Sequence, residues 1–436
     1  MFRVKSRSRT VALAAIVLAA TTVLAGCSSS STTSSSSSTL TTNPSQIKGS
    51  LTFSTWWSYA NQALINGFKA KYPKVKVKLQ FTAIDSYPTK LQSEASSGSL
   101  PDVFAVQGAN LTALAKAKQL YNLDDALKTK PYDGTASTWK SSFNASLLSG
   151  ANAGLAEPNG ETYGVPFNAI SVAAVYNKDV YSKLGLSAPK TFSGLLSNCK
   201  ALKSAGYIPM SLTGSVWGTW WASLAFDQTM SGEKAANFSV SDPNYIKAFS
   251  IVKQMADAGC WTPSQVTTDI AGETSLFLQQ KTATFVTVPE NFLQAVASGA
   301  KFKLGTYVLP ALDGKTPNRI LGGGNANVLV VNAHSKNLSA AVAFAKYLTS
   351  TKVESATAKN DFTIPSININ LSSGNPLMSS YLTAAHNGFT DSAAYLPAMT
   401  PAGTTQFSTV IIPQLILGQI TPAQAAADTQ GIYVTN

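Results

Sequence analysis

The chain has 436 residues, too many for one ordinary hydrophobic core, so its length predicts two or three domains. With 44% hydrophobic and 12% charged residues, its composition is that of a folded globular protein rather than a disordered chain. The formal charge is +12, but four basic residues lie in the first ten positions and the other lysines are scattered, which argues against nucleic-acid binding.

Residues 1–26 have the pattern of a secretory signal. The basic stretch Arg3 to Arg9 precedes an apolar run, Val11 to Leu24, which is shorter than the roughly 20 residues that a membrane-spanning helix needs. Small residues then precede Cys27, and the segment resembles a bacterial lipoprotein signal, in which that cysteine is acylated and becomes the mature N-terminus. The alternative is an ordinary secretory signal followed by an incidental cysteine.

Residues 27–48 are predicted to form a tether, because Ser28 to Ser45 is almost entirely Ser and Thr and has no apolar pattern that could form a core. A tether directly after a lipidated Cys27 holds a domain off a membrane. We therefore expect a protein anchored by lipid on the extracellular face of the cell membrane.

The remaining cysteines, Cys199 and Cys260, form an even pair. Outside the cytoplasm such a pair is readily oxidised, which predicts a disulfide. The alternative is two separate buried thiols.

From Gly49 onward, strand and helix patterns alternate, which predicts βαβ units and a mainly parallel sheet. Ligands bind beyond the carboxyl ends of such strands. Here those ends are Trp56-Trp57 and Gln107-Gly108. The predicted elements are, in order, strand Ser50–Trp56, helix Asn61–Tyr72, strand Val75–Phe81, helix Tyr87–Ser97, strand Asp102–Gln107, helix Leu111–Lys118, strand Ile170–Tyr176, a helix from Thr191, strands Thr284–Val288, Leu304–Leu309 and Val328–Val331, and helices Leu338–Leu348, Gln406–Leu417 and Pro422–Thr429.

No catalytic, metal-binding or cofactor-binding pattern is present in the sequence. The two histidines, His334 and His386, have no carboxylate or cysteine pattern around them, and Gly322-Gly323-Gly324 lacks the residues of a phosphate-binding loop. We therefore expect no catalytic residue, no metal and no cofactor. A glycosidase needs only two carboxylates, so a secreted glycosidase stays open as an alternative.

Tryptophans supply the positive signal for a ligand. Trp56-Trp57 follow the first strand, and Trp217, Trp220 and Trp221 lie among glycines. Indole rings offer flat surfaces to the apolar faces of sugar rings, while Asn, Gln, Asp and Glu suit the hydroxyl groups. Core packing is the alternative for any single tryptophan.

Several motifs resemble the bacterial extracellular solute-binding proteins of sugar ABC importers, the group typified by maltose-binding protein. The resemblance covers nearly all of Gly49 to Tyr433 and depends on the order and spacing of the motifs. They are Tyr163-Gly-Val-Pro166 followed by a strand and Tyr176-Asn-Lys-Asp179, Leu184 to Leu186, Pro189 to Phe192, Phe277 to Pro289, Arg319 to Asn332, and Gly418 to Pro422.

The resemblance implies two α/β lobes joined by hinge crossings, with a ligand cleft between them, as in periplasmic binding proteins. Lobe one would comprise residues 49–168 and 311–361, and lobe two residues 171–308 and 366–436. The crossings would fall near Asn168 to Ser171, Val308 to Ala311 and Asp361 to Pro365. By position, the ligand-binding residues would be Trp56, Trp57, Gln107, Asn168, Trp217, Trp220, Glu290, Gly323, Gly324 and Asn325.

The same resemblance implies a monomer that captures a mono- or oligosaccharide and delivers it to the membrane permease subunits of an ABC importer. The family often has an aromatic residue in place of Glu290, which here suggests an acid that binds hydroxyl groups. A polyol, a glycerophosphodiester or another small solute stays open as the ligand. Arg319, which precedes the glycine segment, keeps an anionic ligand among these alternatives.

Overall fold

The structure is a computed structural model. It describes residues 40–57, 60–84, 86–106, 108–151, 160–169, 172–212, 218–230, 241–289, 293–317, 320–322, 327–369, 376–386, 389–391, 401–430 and 432. Residues Leu40–Asn436 form one compact unit. The predicted signal segment and Cys27 lie outside the described residues.

The described strands form two main sheets and one two-stranded pair. Sheet one has the order β11-β4-β10-β3-β1-β2, sheet two has the order β6-β7-β5-β8, and β12 pairs with β9. We call the parts of the molecule built on these sheets lobe one and lobe two. The strands are β1 Gly49–Thr55, β2 Val75–Phe81, β3 Val103–Val106, β4 Gly164–Ala169, β5 Ala173–Asn177, β6 Ile208–Met210, β7 Thr282–Thr287, β8 Leu304–Tyr307, β9 Ile320–Gly322, β10 Asn327–Val331, β11 Ile364–Pro365 and β12 Phe389–Asp391.

Helices cover the sheets and build most of lobe two. Short 3-10 helices occur at Pro263–Thr267 and Pro376–Met378, and a π-helical turn occurs at Phe407–Ile411. The α-helices are α1 Gln62–Lys69, α2 Tyr87–Ser96, α3 Gly108–Lys116, α4 Asp124–Leu127, α5 Trp139–Ser142, α6 Ala145–Ala151, α7 Lys178–Lys183, α8 Phe192–Ser204, α9 Gly218–Thr229, α10 Pro243–Asp257, α11 Ile270–Leu278, α12 Gln294–Gly299, α13 Leu338–Leu348, α14 Thr351–Asp361, α15 Ser379–His386, α16 Pro401–Gln406, α17 Ile412–Ile416 and α18 Pro422–Gln430.

Both faces of sheet one are covered, which explains why its central strands are apolar throughout. All four residues of β3 are buried, with Val103 and Ala105 on one face and Phe104 and Val106 on the other. Strand β2 lies at the edge of the sheet, and from Val75 to Leu79 its buried or half-buried apolar residues alternate with exposed lysines, whereas Phe81 at its end is exposed.

The chain passes between the sheets more than once. It leaves sheet one at Ala169, the end of β4, and enters sheet two at Ala173, the start of β5. It returns between β8 and β10. Strand β11 still pairs with β4 in sheet one, whereas α15, which follows, packs on β5 and β8 of sheet two. The lobe limits given from the sequence stay predictions.

The segment before β1 is packed against lobe one. Ile47 is 2% exposed and belongs to the core that includes Leu51 and Phe53. The backbone N–H of Thr41 donates to the hydroxyl of Ser339 at 3.1 Å. Of the predicted tether 27–48, residues 40–48 are therefore in contact with the folded domain.

Cys199 and Cys260 form the disulfide that the sequence predicts, with their Cα atoms 4.8 Å apart. The bond joins α8 to the residue that follows the Ala258-Gly259 turn after α10. Among the described residues, no helix is both long and apolar enough to cross a membrane.

Candidate functional site

The ends of four strands of sheet one lie side by side along one edge of the sheet, which runs across the strands. Strands β1 and β3 are parallel, so their carboxyl ends, Thr55 and Val106, lie at the same edge, and Trp56 follows directly after β1. Strand β10 is antiparallel to β3 and β4, with Val328 opposite Val106 and Asn327 opposite Asn168. Its amino end, which follows the predicted Gly323 to Asn325 segment, therefore lies at this edge as well.

Sheet two has a corresponding edge. Strands β6 and β7 are parallel, so their carboxyl ends lie side by side. The chain continues from β6 towards the predicted Trp217, and from β7 towards the predicted Glu290. Both predicted residues therefore follow neighbouring strand ends, the position that favours a ligand site in α/β proteins.

The two edges meet at the first crossing. The carboxyl end of β4, at Ala169, and the amino end of β5, at Ala173, are separated by only a few residues. Strand β5 is antiparallel to β7 and pairs Ala173 with Thr287, the last residue of β7. The carboxyl ends of β4 and β7 are therefore close together, and the strand ends of both lobes point into one region.

Trp56 forms one wall of a small recess at the edge of sheet one. Its ring is half-buried and contacts Tyr87 edge-on, with centroids 4.9 Å apart. The Tyr87 hydroxyl lies 2.9 Å from the carbonyl oxygen of Ala105 and 3.1 Å from that of Ser54, so it ties α2 to β3 and β1. Burial raises the pKa of Tyr87, which keeps this hydroxyl a donor. The recess is shallow and open, and it is lined by Trp56, Ile84, Tyr87, Pro88, Leu91, Val106 and Asn110.

Trp57 has a different environment. It is 1% exposed and stacks on Phe167 of β4, with ring centroids 4.6 Å apart and an interplanar angle of 19°. It belongs to the core of lobe one rather than to an open surface in this structure. Adjacent residues of an extended chain point to opposite sides, so only Trp56 is left at the recess.

Asn168 is also buried, with 1% of its surface exposed. Its side-chain oxygen accepts a hydrogen bond of 2.7 Å from the amide of Asn327, the first residue of β10. The strand register shifts between Asn327 and Val328. This amide pair therefore fixes the point from which both the first crossing and the segment before β10 leave the sheet.

Most other predicted site residues are not described. Trp220 lies in α9, but its side chain is not described. The residues that lie outside the described residues are Gln107, Trp217, Glu290, Gly323, Gly324 and Asn325.

A buried carboxylate that the sequence did not single out supports the edge of sheet two. Glu273 of α11 is 0% exposed, and its Oε1 accepts hydrogen bonds from the N–H of Leu212 at 3.1 Å and from Gln265 at 2.9 Å. Trp261 donates to the carbonyl of Ser211 and packs edge-on against Trp221. The end of β6 is therefore held from several sides. In the sequence, Glu273 has no signal beyond being one acid in an apolar helix.

A second buried carboxyl group lies beside the crossings. Glu354 of α14 accepts from the N–H of Ser366 at 2.6 Å and from that of Ile367 at 3.3 Å. The Ser366 hydroxyl lies 2.8 Å from Glu354 Oε1 and 2.8 Å from the carbonyl of Pro166 in β4. Burial raises the pKa of Glu354 to about 8, although these hydrogen bonds act to lower it.

A pKa of about 8 favours the protonated form of Glu354 at neutral pH. When Oε1 carries the proton, it can donate to the Ser366 hydroxyl, whose own proton is then left for the carbonyl of Pro166. The segment after β11 is thereby joined to β4, the strand that leads into the first crossing.

Comparison with known proteins decides the family. The sequence model of the bacterial extracellular solute-binding proteins matches residues 51–355. The chain belongs to this family. The diacetylchitobiose binding protein DasA of Streptomyces coelicolor is 27% identical over 317 residues, which are 69% of this chain and 68% of DasA.

Two further proteins similar to this chain differ in the ligands for which they are named. The sn-glycerol-3-phosphate-binding periplasmic protein UgpB of Brucella abortus is 24% identical over 220 residues, 48% of this chain and 49% of UgpB, so this match spans about half of each protein. A chitin oligosaccharide binding protein of known structure has a TM-score of 0.73 at 21% identity and covers 88% of this chain and 98% of its own. That likeness shows the fold. The predicted family and two-lobed solute-binding fold are confirmed.

Proposed function

We propose that this solute-binding protein captures a sugar between its lobes and hands it to the permease of an ABC importer. The observation that carries the proposal is the half-buried Trp56 ring at the edge where the strand ends of both lobes meet. A flat indole held edge-on by a rigid tyrosine is the surface that the apolar face of a sugar ring needs.

The lining of the recess favours a neutral ligand. Its described lining residues are apolar or aromatic apart from the amide of Asn110 and the hydroxyl of Tyr87, and none of these described residues is charged. The related DasA is named for a disaccharide, diacetylchitobiose. We therefore propose an oligosaccharide rather than a phosphate ester, with Trp220, Glu290, Gln107 and the Gly323 to Asn325 segment as further contacts.

A thermal-shift screen followed by calorimetric titration tests this proposal. The panel contains mono- and oligosaccharides, including diacetylchitobiose, together with sn-glycerol-3-phosphate as the alternative that the similarity to UgpB raises. A ligand that binds only the folded state raises the melting temperature. If only the phosphate ester raises it, the sugar proposal is wrong.

The affinity of the Trp56→Ala variant for sugar tests whether the Trp56 ring is the stacking surface. One stacked aromatic contributes about 1–3 kcal/mol, by analogy with bases stacked on aromatic side chains, so affinity should fall about tenfold or more. Trp56→Phe, which keeps a flat ring, should retain most of the affinity. Equal binding by the wild type and both variants would exclude Trp56 from the site.

We further propose that Cys27 carries a lipid that anchors the protein on the extracellular face of the membrane. The Leu24-Ala25-Gly26-Cys27 sequence and the Ser/Thr-rich stretch after it support this. Cys27→Ser should release the protein from membrane fractions or leave the precursor uncleaved. A variant that is still processed and still sediments with membranes after a high-salt wash, which releases proteins held by charge alone, contradicts the proposal.

The proposal includes no catalytic step. A secreted glycosidase is the alternative, and incubation with a bound oligosaccharide distinguishes the two. Recovery of cleaved product in excess over the protein would favour the glycosidase.

A further inference from the structure

The beginning of lobe one carries an unbalanced positive charge. The first acidic residue of the whole sequence is Asp85, whereas residues 40–84 contain six lysines and no acid. All six are exposed. Four of them, Lys48, Lys74, Lys76 and Lys78, form what we call the basic corner.

The strand pairing brings the basic corner together. Gly49 of β1 pairs with Val75 of β2, and its N–H donates to the carbonyl of Lys74, so Lys48 and Lys74 precede neighbouring strand starts. Lys76 and Lys78 follow Lys74 at a spacing of two residues and therefore project from the same face of β2. The lysines that are scattered in the sequence are thus gathered at one edge of the sheet.

Acidic side chains do not neutralise this corner in the described part of the chain. The ion pairs among the described residues involve Lys90, Lys128 and Lys253, none of which belongs to the basic corner. The Lys74 ammonium contacts only the carbonyl of Ser45, at 3.4 Å. The nearby Asp102 carboxylate accepts hydrogen bonds from Thr52 and Ser335 instead.

The N-terminal segment reaches the folded domain at the same place. Ser45 contacts Lys74, and Thr41 contacts Ser339 in the first turn of α13. Twelve residues separate position 27 from position 40, a length of chain that can span at most about 45 Å. An anchor at Cys27 would therefore limit the distance from residue 40 to the lipid surface to about 45 Å.

The basic corner and the candidate site lie at opposite ends of β1. Lys48 precedes the strand and Trp56 follows it, so roughly 25 Å of extended chain separates them. A surface that contacts the corner therefore leaves the Trp56 recess free.

We propose that the basic corner docks on the anionic phospholipid surface of the membrane, so that the Trp56 edge faces away from the bilayer while the protein waits for ligand. Lysines close to an anionic membrane are attracted to it within about a Debye length, roughly 10 Å. The proposal rests on the proposed lipid anchor only for the place where the chain meets the membrane.

Vesicle co-sedimentation of the leaderless Cys27→Ser protein tests the surface without the anchor. The vesicles contain phosphatidylcholine with or without phosphatidylglycerol, at low and at high potassium chloride. We expect binding that needs phosphatidylglycerol and disappears at high salt. The combined variant Lys48→Gln, Lys74→Gln, Lys76→Gln and Lys78→Gln should bind at least about tenfold more weakly.

A matched variant changes the same charge elsewhere. Its substitutions replace four exposed lysines distributed along the chain, Lys140→Gln, Lys190→Gln, Lys281→Gln and Lys352→Gln. It should bind almost as the parent does. Equal losses in both variants would show a diffuse effect of net charge, and no lipid-dependent binding by the parent would overturn the proposal.

Two further outcomes contradict the proposal. Lysines on an edge strand also prevent two copies of a protein from associating strand to strand. If the four-lysine variant dimerises in size-exclusion chromatography but keeps its affinity for vesicles, these lysines prevent association and do not bind lipid. Equally strong binding to a soluble polyglycerol phosphate would assign the corner to a cell-wall polymer instead. Absence of the wild-type protein from membrane fractions of cells, while the leaderless protein still binds vesicles, contradicts the anchor but not the corner.

Discussion

Replacement of Glu354 by glutamine should remove a pH dependence from the stability of the protein. Burial raises the pKa of this carboxyl from 4.5 to about 8 in the folded state. Below pH 4.5 it is protonated in both the folded and the unfolded chain, and its contribution to stability is fully present. As the pH rises towards 8, the unfolded chain loses the proton and the folded chain keeps it, so folding becomes less favourable.

The size of the effect follows from the two pKa values. Each pH unit between them costs about 1.4 kcal/mol, which gives at most about 5 kcal/mol over the full range and about 3 kcal/mol between about pH 5 and pH 7.5. The amide introduced by Glu354→Gln should reproduce the protonated acid. Its oxygen would accept from the N–H groups of Ser366 and Ile367, and its NH₂ would donate to the Ser366 hydroxyl.

Urea denaturation of the leaderless protein at a series of pH values measures this. Wild type and Glu354→Gln should have similar free energies of unfolding at about pH 5, and the variant should be the more stable by about 3 kcal/mol at about pH 7.5. Asp125→Asn, which removes one exposed carboxylate, controls for the change in net charge. Parallel pH profiles for wild type and Glu354→Gln would refute the argument that burial keeps this carboxyl protonated.

Three other substitutions test the packing. Trp57→Ala should cost about 3–5 kcal/mol of stability, measured by denaturation, because its ring is buried on Phe167. Loss of the Cys199–Cys260 bond opens a loop with a sequence separation of 61 residues, so the double Ser variant should lose up to about 4 kcal/mol and no longer respond to reductant in a melting curve. Gly164→Ala would place a Cβ 2.4 Å from Val328 Cγ1, and a cost of about 1–3 kcal/mol should appear as a lower urea midpoint.

The sequence predicts the periodic elements well because their hydrophobic pattern determines them. Val75–Phe81 and Leu338–Leu348 have the predicted limits, and the predicted helix from Thr191 begins at Phe192 with Thr191 as its N-cap. The predicted strand Ile170–Tyr176 is wrong in its limits. The chain instead forms β4, Gly164–Ala169, and β5, Ala173–Asn177, in different sheets.

The sequence did not predict strand β4 because the segment contains Pro166. Proline has no N–H to donate to a neighbouring strand and is therefore rare in inner strands. The structure tolerates it because β11 pairs only with Ala169 and Asn168, and the register with β10 is irregular at this position. Whether a proline fits into a strand therefore depends on the pairing of neighbouring strands that are distant in the sequence. The same holds for Glu273 and Glu354, whose importance comes from what surrounds them.

The candidate site could be predicted only as far as the ends of strands. The order of the strands places Trp56 at the carboxyl ends of β1 and β3, as the sequence indicated, and ligand binding at this place stays a prediction. The sequence does not show which of the two adjacent tryptophans faces that edge. The core decides this, because the ring of Trp57 stacks on Phe167.

Strand β4 links the candidate site to the crossings. On one side, Asn168 is joined to Asn327 at the start of β10. On the other side, the carbonyl of Pro166 is joined through Ser366 to Glu354. Because these contacts fix β4 to both neighbouring strands, we expect any rotation of one lobe against the other to leave the pairing of β4 intact. The strand ends on either side of this crossing lead to the predicted ligand contacts, so we expect closure of the lobes to move both edges of the candidate site.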